Sequence, residues 1–218
     1  MDMNDQELVA NVIDELFWDP KVDSEAIAVT ADAGVVTLRG TVGSFRAKRE
    51  ARKAAERVWG VVSVTNDIGV ELMGDQRREN ADLRGDVLQA LMLDSLVPTT
   101  VDASVDYGIV TLSGTVDWQY QRDEAGVVAG NLLGVVGIEN EIYLNGATPS
   151  TGDVEKKIKK AFARNAKLDA DDLNVSTSGG TATLSGTVRS WDEHDTAVAA
   201  AWAAPGVQVV DDLLTVAY

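Results

Sequence analysis

The chain has 218 residues, 45% of them hydrophobic, with 19 Lys and Arg against 35 Asp and Glu, a formal net charge of −16. That composition belongs to folded globular protein and excludes disordered or collagenous chains, while the acidic excess repels nucleic acid and anionic membrane at long range. With no cysteine and a single histidine, His194, the chain can form no disulfide, thiolate nucleophile or histidine metal cluster.

The first residues, Met1-Asp2-Met3-Asn4-Asp5, have neither the basic start nor the apolar core of a secretory signal. No stretch nears the roughly 20 apolar residues of a membrane span. The expected location is the cytoplasm, peripheral to a membrane at most, and the periplasm only for a chain whose leader has been removed.

A repeat organises everything else. Thr37-Leu38-Arg39-Gly40-Thr41-Val42 returns as Thr111-Leu112-Ser113-Gly114-Thr115-Val116 and as Thr183-Leu184-Ser185-Gly186-Thr187-Val188. A Gly-Val pair follows each central glycine by 20 residues (Gly60-Val61, Gly134-Val135, Gly206-Val207), and another glycine precedes it by six (Gly34, Gly108, Gly180). Three modules result, at residues 5–71, 82–144 and 153–217, joined by polar, breaker-rich linkers at residues 73–81 and 145–152.

Each module reads as αββαβ. The first helix carries an inward face of Leu8, Val12, Ile13 and Leu16 in copy one, Leu83, Val87 and Leu91 in copy two, and Val154, Ile158 and Phe162 in copy three. Two strands joined by a tight turn follow. Asp32-Ala33-Gly34, Asp106-Tyr107-Gly108 and Ser178-Gly179-Gly180 supply turns in which glycine accepts positive φ. Val36, Leu38, the central Gly40 and Val42, with their equivalents, share one strand face, and the opposite face carries Thr37, Arg39 and Thr41.

The second helix has an alanine-rich inner stripe, Ala47, Ala51, Ala54 and Ala55 in copy one and Ala197, Ala200, Ala201 and Ala204 in copy three. The central strand glycine is expected beneath it. Gly60, Gly134 and Gly206 fit the left-handed helix end, with the last strand starting at the next residue. A strand, helix, strand connection favours parallel pairing. The expected fold is therefore α+β: three tandem αββαβ modules, each a three-stranded mixed sheet with two helices on one face.

Gly108-Ile109-Val110-Thr111-Leu112-Ser113-Gly114-Thr115-Val116 followed by Gly134-Val135-Val136-Gly137-Ile138-Glu139-Asn140-Glu141-Ile142 resembles the BON domain, named for bacterial osmotically inducible and nodulation proteins. The likeness covers nearly the whole chain. The third copy departs from it at Ala182 and Asp212. The resemblance implies a non-catalytic module of bacterial envelope and osmotic-stress proteins, attaching to phospholipid, assisting envelope-protein folding or, in one type, binding potassium.

No catalytic, cofactor or metal site is expected. Asp169-Ala170-Asp171-Asp172-Leu173-Asn174 starts like a calcium loop, but loop positions 6 and 12 hold Asn174 and Gly180 in place of glycine and glutamate. His194 lies among Asp192, Glu193 and Asp195 with no nucleophile in view and reads as a solvated helix residue. Asn66, Asn140 and Asp212 have the inward parity of the last strand, so each either clamps a nearby backbone or coordinates a ligand.

Candidate binding residues are of two kinds. Phe45, Trp118 and Trp191 stand at the start of each second helix, as hydrophobic staples or as aromatic anchors for a membrane or partner. The modules carry net charges of −4, −8 and −3, yet two helices are basic. Arg49 and Lys53 lie on the first module's second helix with Arg46, Lys48, Arg52 and Arg57; Lys156, Lys157, Lys159, Lys160 and Arg164 lie on the third module's first helix with Lys167. The latter is either a basic amphipathic helix for anionic phospholipid or a solvated helix whose apolar face is core. The basic patches also suit a protein partner or, by self-association, the acidic second module of another copy. The reading is a binding scaffold for phospholipid surface or protein partners; the alternative is a sensor of a small ion, potassium or calcium, or of another small ligand.

Overall fold

A computed structural model describes residues 4–74, 77–145 and 151–218, so the middle of each expected linker, at 75–76 and 146–150, lies outside the described residues. The first module runs α1 (Asp5–Trp18), β1 (Ile27–Asp32), β2 (Val35–Val42), α2 (Phe45–Glu56), β3 (Ser63–Val70). The second runs α3 (Asn80–Leu93), β4 (Val101–Asp106), β5 (Ile109–Val116), α4 (Gln119–Gly130), β6 (Gly137–Asn140), β7 (Tyr143–Leu144). The third runs α5 (Thr151–Arg164), β8 (Leu173–Ser178), β9 (Thr181–Val188), α6 (Trp191–Trp202), β10 (Val209–Val216).

Three separate sheets form, each with its hairpin antiparallel and its last strand parallel to the central one. The chain divides into two compact units. The first two modules without residues 117–120 make one, and residues 117–120 with 144–218 make the other.

The hairpins have the expected turns. Ala33 and Gly34 lie at φ of 48° and 81°, Tyr107 and Gly108 at 46° and 80°, and Gly179 and Gly180 at 57° and 87°, the paired positive φ of a type I′ turn whose twist suits the strands. Val36, Leu38 and Val42 are buried with α1's Leu8, Val12 and Leu16 and α2's Ala51, Ala54 and Ala55, and Val154, Ile158 and Phe162 fill the same places in module three. Helices cover one sheet face, and the threonine-rich face is exposed or half-exposed.

Four local features differ from the expectation. Gly40 is exposed, not roofed by α2. It lies at φ 128°, and a Cβ there would collide with the Ala26 carbonyl oxygen, as at Gly114 with Thr100 and at Gly186 with Asp172. Glycine is thus required by the loop entering β1. Gly60 has its positive φ of 92° but lies beyond the C-cap, Arg57. Val61 is buried in the turn, and the strand begins at Ser63. Ile13 is 47% exposed because it lies about 100° round the helix from Val12. Finally, the second module's last strand is interrupted at Glu141 and Ile142, where the Glu141 N–H donates to the Leu112 carbonyl at 2.8 Å and Ile142 turns into the core.

Candidate functional site

The polar residue on each last strand is a clamp. Asn66 donates from Nδ2 to the Lys48 carbonyl of α2 at 2.8 Å and accepts the Ile68 N–H at 3.3 Å. Asn140 makes the same pair of bonds, to the Arg122 carbonyl at 2.8 Å and from the Ile142 N–H at 3.3 Å. Both amide ends are engaged, which ties the second helix to the sheet. In the third module Asp212 still accepts the Leu214 N–H at 3.1 Å, but its other oxygen meets His194 Nε2 at 2.8 Å.

Phe45 and Trp191 open their helices directly after the N-caps Ser44 and Ser190, so they lie at the first helical position and not at the staple position before the cap. Phe45 packs on α4: a Cβ added to Gly130 would fall 3.0 Å from its ring. Beside it Arg49 donates to the Asn131 side chain at 2.7 Å. These two expected binding residues therefore join the first module to the second. Trp118, just ahead of α4, is 37% exposed, and Trp191 tilts over His194 with ring centroids 4.7 Å apart. Lys53 is exposed.

The apolar stripe of α5 is core, with Val154, Ile158 and Phe162 no more than 4% exposed. Nothing apolar on that stripe is left to enter a bilayer. Lys156, Lys157, Lys160 and Arg164 are exposed, and Lys159 pairs with Glu155 at 2.7 Å. Just past α5, an open cavity of about 610 Å³ is lined by Lys167, Asp169, Arg189, Asp192 and Glu193. Its charges answer one another: Lys167 pairs with Asp192 at 3.0 Å, Arg189 pairs with Asp169, and Glu193 accepts the Asp169 and Arg189 N–H groups. Among the described residues no group of three or more His, Asp or Glu is placed to hold a metal ion, and no helix is long and apolar enough to cross a membrane.

The exposed apolar surface lies elsewhere. Phe17 and Trp18 end α1 at 79% and 82% exposure, and Trp59 precedes the turn glycine at 51%. Arg57 pairs with Glu15 and Asp19 at 2.8 Å and so holds that turn against the end of α1. The second module repeats the arrangement with Met92, Leu93 and Leu133, where Leu93 and Leu133 line a depression of about 340 Å³. The equivalent positions of the third module are Ala163, Arg164 and Pro205. The helix stripe Leu8, Val12, Leu16 gives no sign of this patch. The signal that does is the recurrence of a large apolar residue at matching off-stripe positions in two copies, where solvated helix would carry polar ones.

The profile of the BON domain matches residues 4–71, 79–146 and 150–218. The chain is similar to osmotically-inducible protein Y of Escherichia coli strain K12, 34% identical over 145 residues that make up 64% of this chain and 72% of that protein. Among solved structures it is similar to CdsD, a structural protein of the type III secretion system of Chlamydia trachomatis, at 16% identity over 95% of this chain and 91% of that one. It is also similar to the C-terminal domain of CdsD, at 15% identity over 99% of this chain and 100% of that one. With TM-scores of 0.26 and 0.28, neither of those two likenesses bears on the function of this chain.

Proposed function

This chain belongs to the BON domain family, and from that premise we propose that it is a non-catalytic binding scaffold of osmotic or envelope stress that engages protein partners through the apolar ends of its first two modules. Its similarity to an osmotically inducible protein supports the stress setting. The carrying observation is the patch of Phe17, Trp18 and Trp59, repeated as Met92, Leu93 and Leu133 and more than half exposed at every position. Asp14 lies one turn before Phe17 and Trp18 on α1, and Glu15 and Asp19 flank them in sequence and share Arg57, so acid outnumbers base at the rim of the first patch, and the second lies on a module of net charge −8. Anionic membrane is repelled by such a rim, whereas an apolar segment of a protein with basic flanks complements it.

Photocrosslinkers placed at Phe17 and Met92 test this in cells under osmotic shock. Discrete protein adducts are expected there and none from Thr65 on the open sheet face, with adducts lost when Trp18 and Leu93 are changed to Ser. Equal labelling from all three positions overturns the reading. The exposed cations of α5 favour a second reading, attachment to anionic phospholipid by charge alone. Flotation with anionic vesicles at low salt that disappears on changing Lys156, Lys157, Lys159 and Lys160 to Gln is the outcome that reading requires.

A further inference from the structure

Superposing the three copies by their central glycines puts Lys48, Arg122 and His194 at one position and Asn66, Asn140 and Asp212 at another, respectively eight and 26 residues on. Two copies pair a long cationic residue with asparagine, and the asparagine amide holds that residue's carbonyl. The third changes both positions. An aspartate has no N–H to give to a carbonyl, so its contact to the helix passes instead to the His194 ring, which meets Asp212 Oδ2 through Nε2 at 2.8 Å and Asp195 Oδ1 through Nδ1 at 3.0 Å.

A neutral imidazole has one N–H and one bare nitrogen, and both carboxylates are acceptors only when ionised. One of the two contacts therefore lacks a proton unless the ring is the imidazolium, which satisfies both. The ring side chain is 12% exposed, so water replaces a lost bond poorly. Asp212 faces it from β10 and Asp195 from its own helix, while among the described residues neither β9 nor α5 brings it an ion-pair partner. Trp191 lies against the ring without charge.

We propose that His194 and Asp212 form a proton-operated latch between α6 and β10 that tightens the third module when the imidazole is charged and loosens it when the ring is neutral. The first two modules, with amides in that place, have no such dependence. The hydrogen bond to Asp195, opposed by burial and aided by the charges of Asp212 and Asp195, raises the pKa of His194 above the usual histidine value. A proton held more tightly in the folded state stabilises it fully below the unfolded value, about 6.5, and that contribution is lost as pH rises through the raised folded value.

Because His194 is the chain's one histidine, its ring proton resonance reports the titration in the intact 218-residue chain without assignment. The midpoint is expected above that of an unfolded peptide and should fall in Asp212→Asn and, separately, in Asp195→Asn. Hydrogen exchange corrected for its intrinsic pH dependence reads the consequence. Protection of β10 should drop about threefold or more from pH 6 to pH 9 relative to β3, and Asp212→Asn should remove that difference. A midpoint unchanged by either substitution overturns the latch. So does equal pH dependence in β10 and β3 of the wild-type chain, a result that needs no variant to fold.

Discussion

In the first module the second helix is fastened by an amide and by a half-buried ion pair: Asn66 holds the Lys48 carbonyl, and Asp19 at 7% exposure meets the partly exposed Arg57 at 2.8 Å. In the third module a histidine between two carboxylates takes the place of the amide, Asn165 stands where Asp19 stands, and Ala203 where Arg57 stands. The backbone plan is the same, down to the Asx bond that Asp19 and Asn165 each accept at 3.0 Å from the N–H two residues on. The difference teaches that this fold fixes where the helix must be tied and leaves the chemistry of the tie free, so that each copy can carry its own pH response.

The largest test breaks what the modules share. A methyl group at Gly40 meets the Ala26 carbonyl, and at Gly186 the Asp172 carbonyl, each on a backbone at φ near 130°. A collision with backbone cannot be relieved by a rotamer change. Gly40→Ala and Gly186→Ala are each expected to cost about 3 kcal/mol or more, with amide protection lost first in the substituted module. Equal loss in both modules from either substitution would show that the copies are not separate folding problems.

A smaller effect sharpens the contrast between ties. Asn66→Asp places in module one the residue of module three without its histidine. The carboxylate cannot donate to the Lys48 carbonyl, which is left half-buried, at a cost of about 2 kcal/mol at pH 7 by denaturant unfolding. The cost should shrink at pH 3, where a protonated carboxyl regains a donor.

The repeat made the backbone legible and left the ties obscure. Hairpin glycines at constant offsets, and valine and leucine at alternating positions, report local geometry that every copy must obey. The inward parity of Asn66 announced a buried polar group, but its partner is a helix carbonyl, an atom every residue has and no sequence marks. His194 and Asp212 look unrelated when read along the chain because they come from different elements. Only the copy-to-copy comparison, in which the two departures fall in the same module, connects them. Phe17 and Trp18 escaped for the opposite reason: the period of an amphipathic helix explains buried residues and is silent about large apolar ones off the stripe.

Asp19 gives the first module an acid limb at a position that Asn165 fills in the third. The Lys21 N–H on its carboxylate, opposed by burial and reinforced by Arg57, holds its pKa below the usual value. A lowered carboxyl pKa contributes stability above the unfolded value of about 3.9 that is lost as pH falls through the folded one. Asp19→Asn should therefore cost about 1 kcal/mol at pH 7, modest because Arg57 is nearly half exposed, and progressively less as pH falls through the folded value. Amide protection in α1 followed against pH would show the wild-type and variant curves meeting at the acid end; curves that stay parallel would mean that the charge of Asp19 is not what holds Arg57.

The smallest effect lies at the hairpin turns, where the two modules should respond with opposite signs. Module one places Ala33 at φ 48° and module three places Gly179 at 57°. An L-residue in the left-handed region carries strain of about 1 kcal/mol that glycine does not, and glycine loses more chain entropy on folding, which offsets part of it. Ala33→Gly should then stabilise module one by about 0.5 kcal/mol and Gly179→Ala destabilise module three by a similar amount. No heavy atom lies within 4 Å of the Cβ that alanine would add at Gly179, so packing does not enter and the backbone alone is measured. Exchange protection in β2 and β9 reads the pair. Shifts of the same sign would mean that the turns differ in more than the residue they carry.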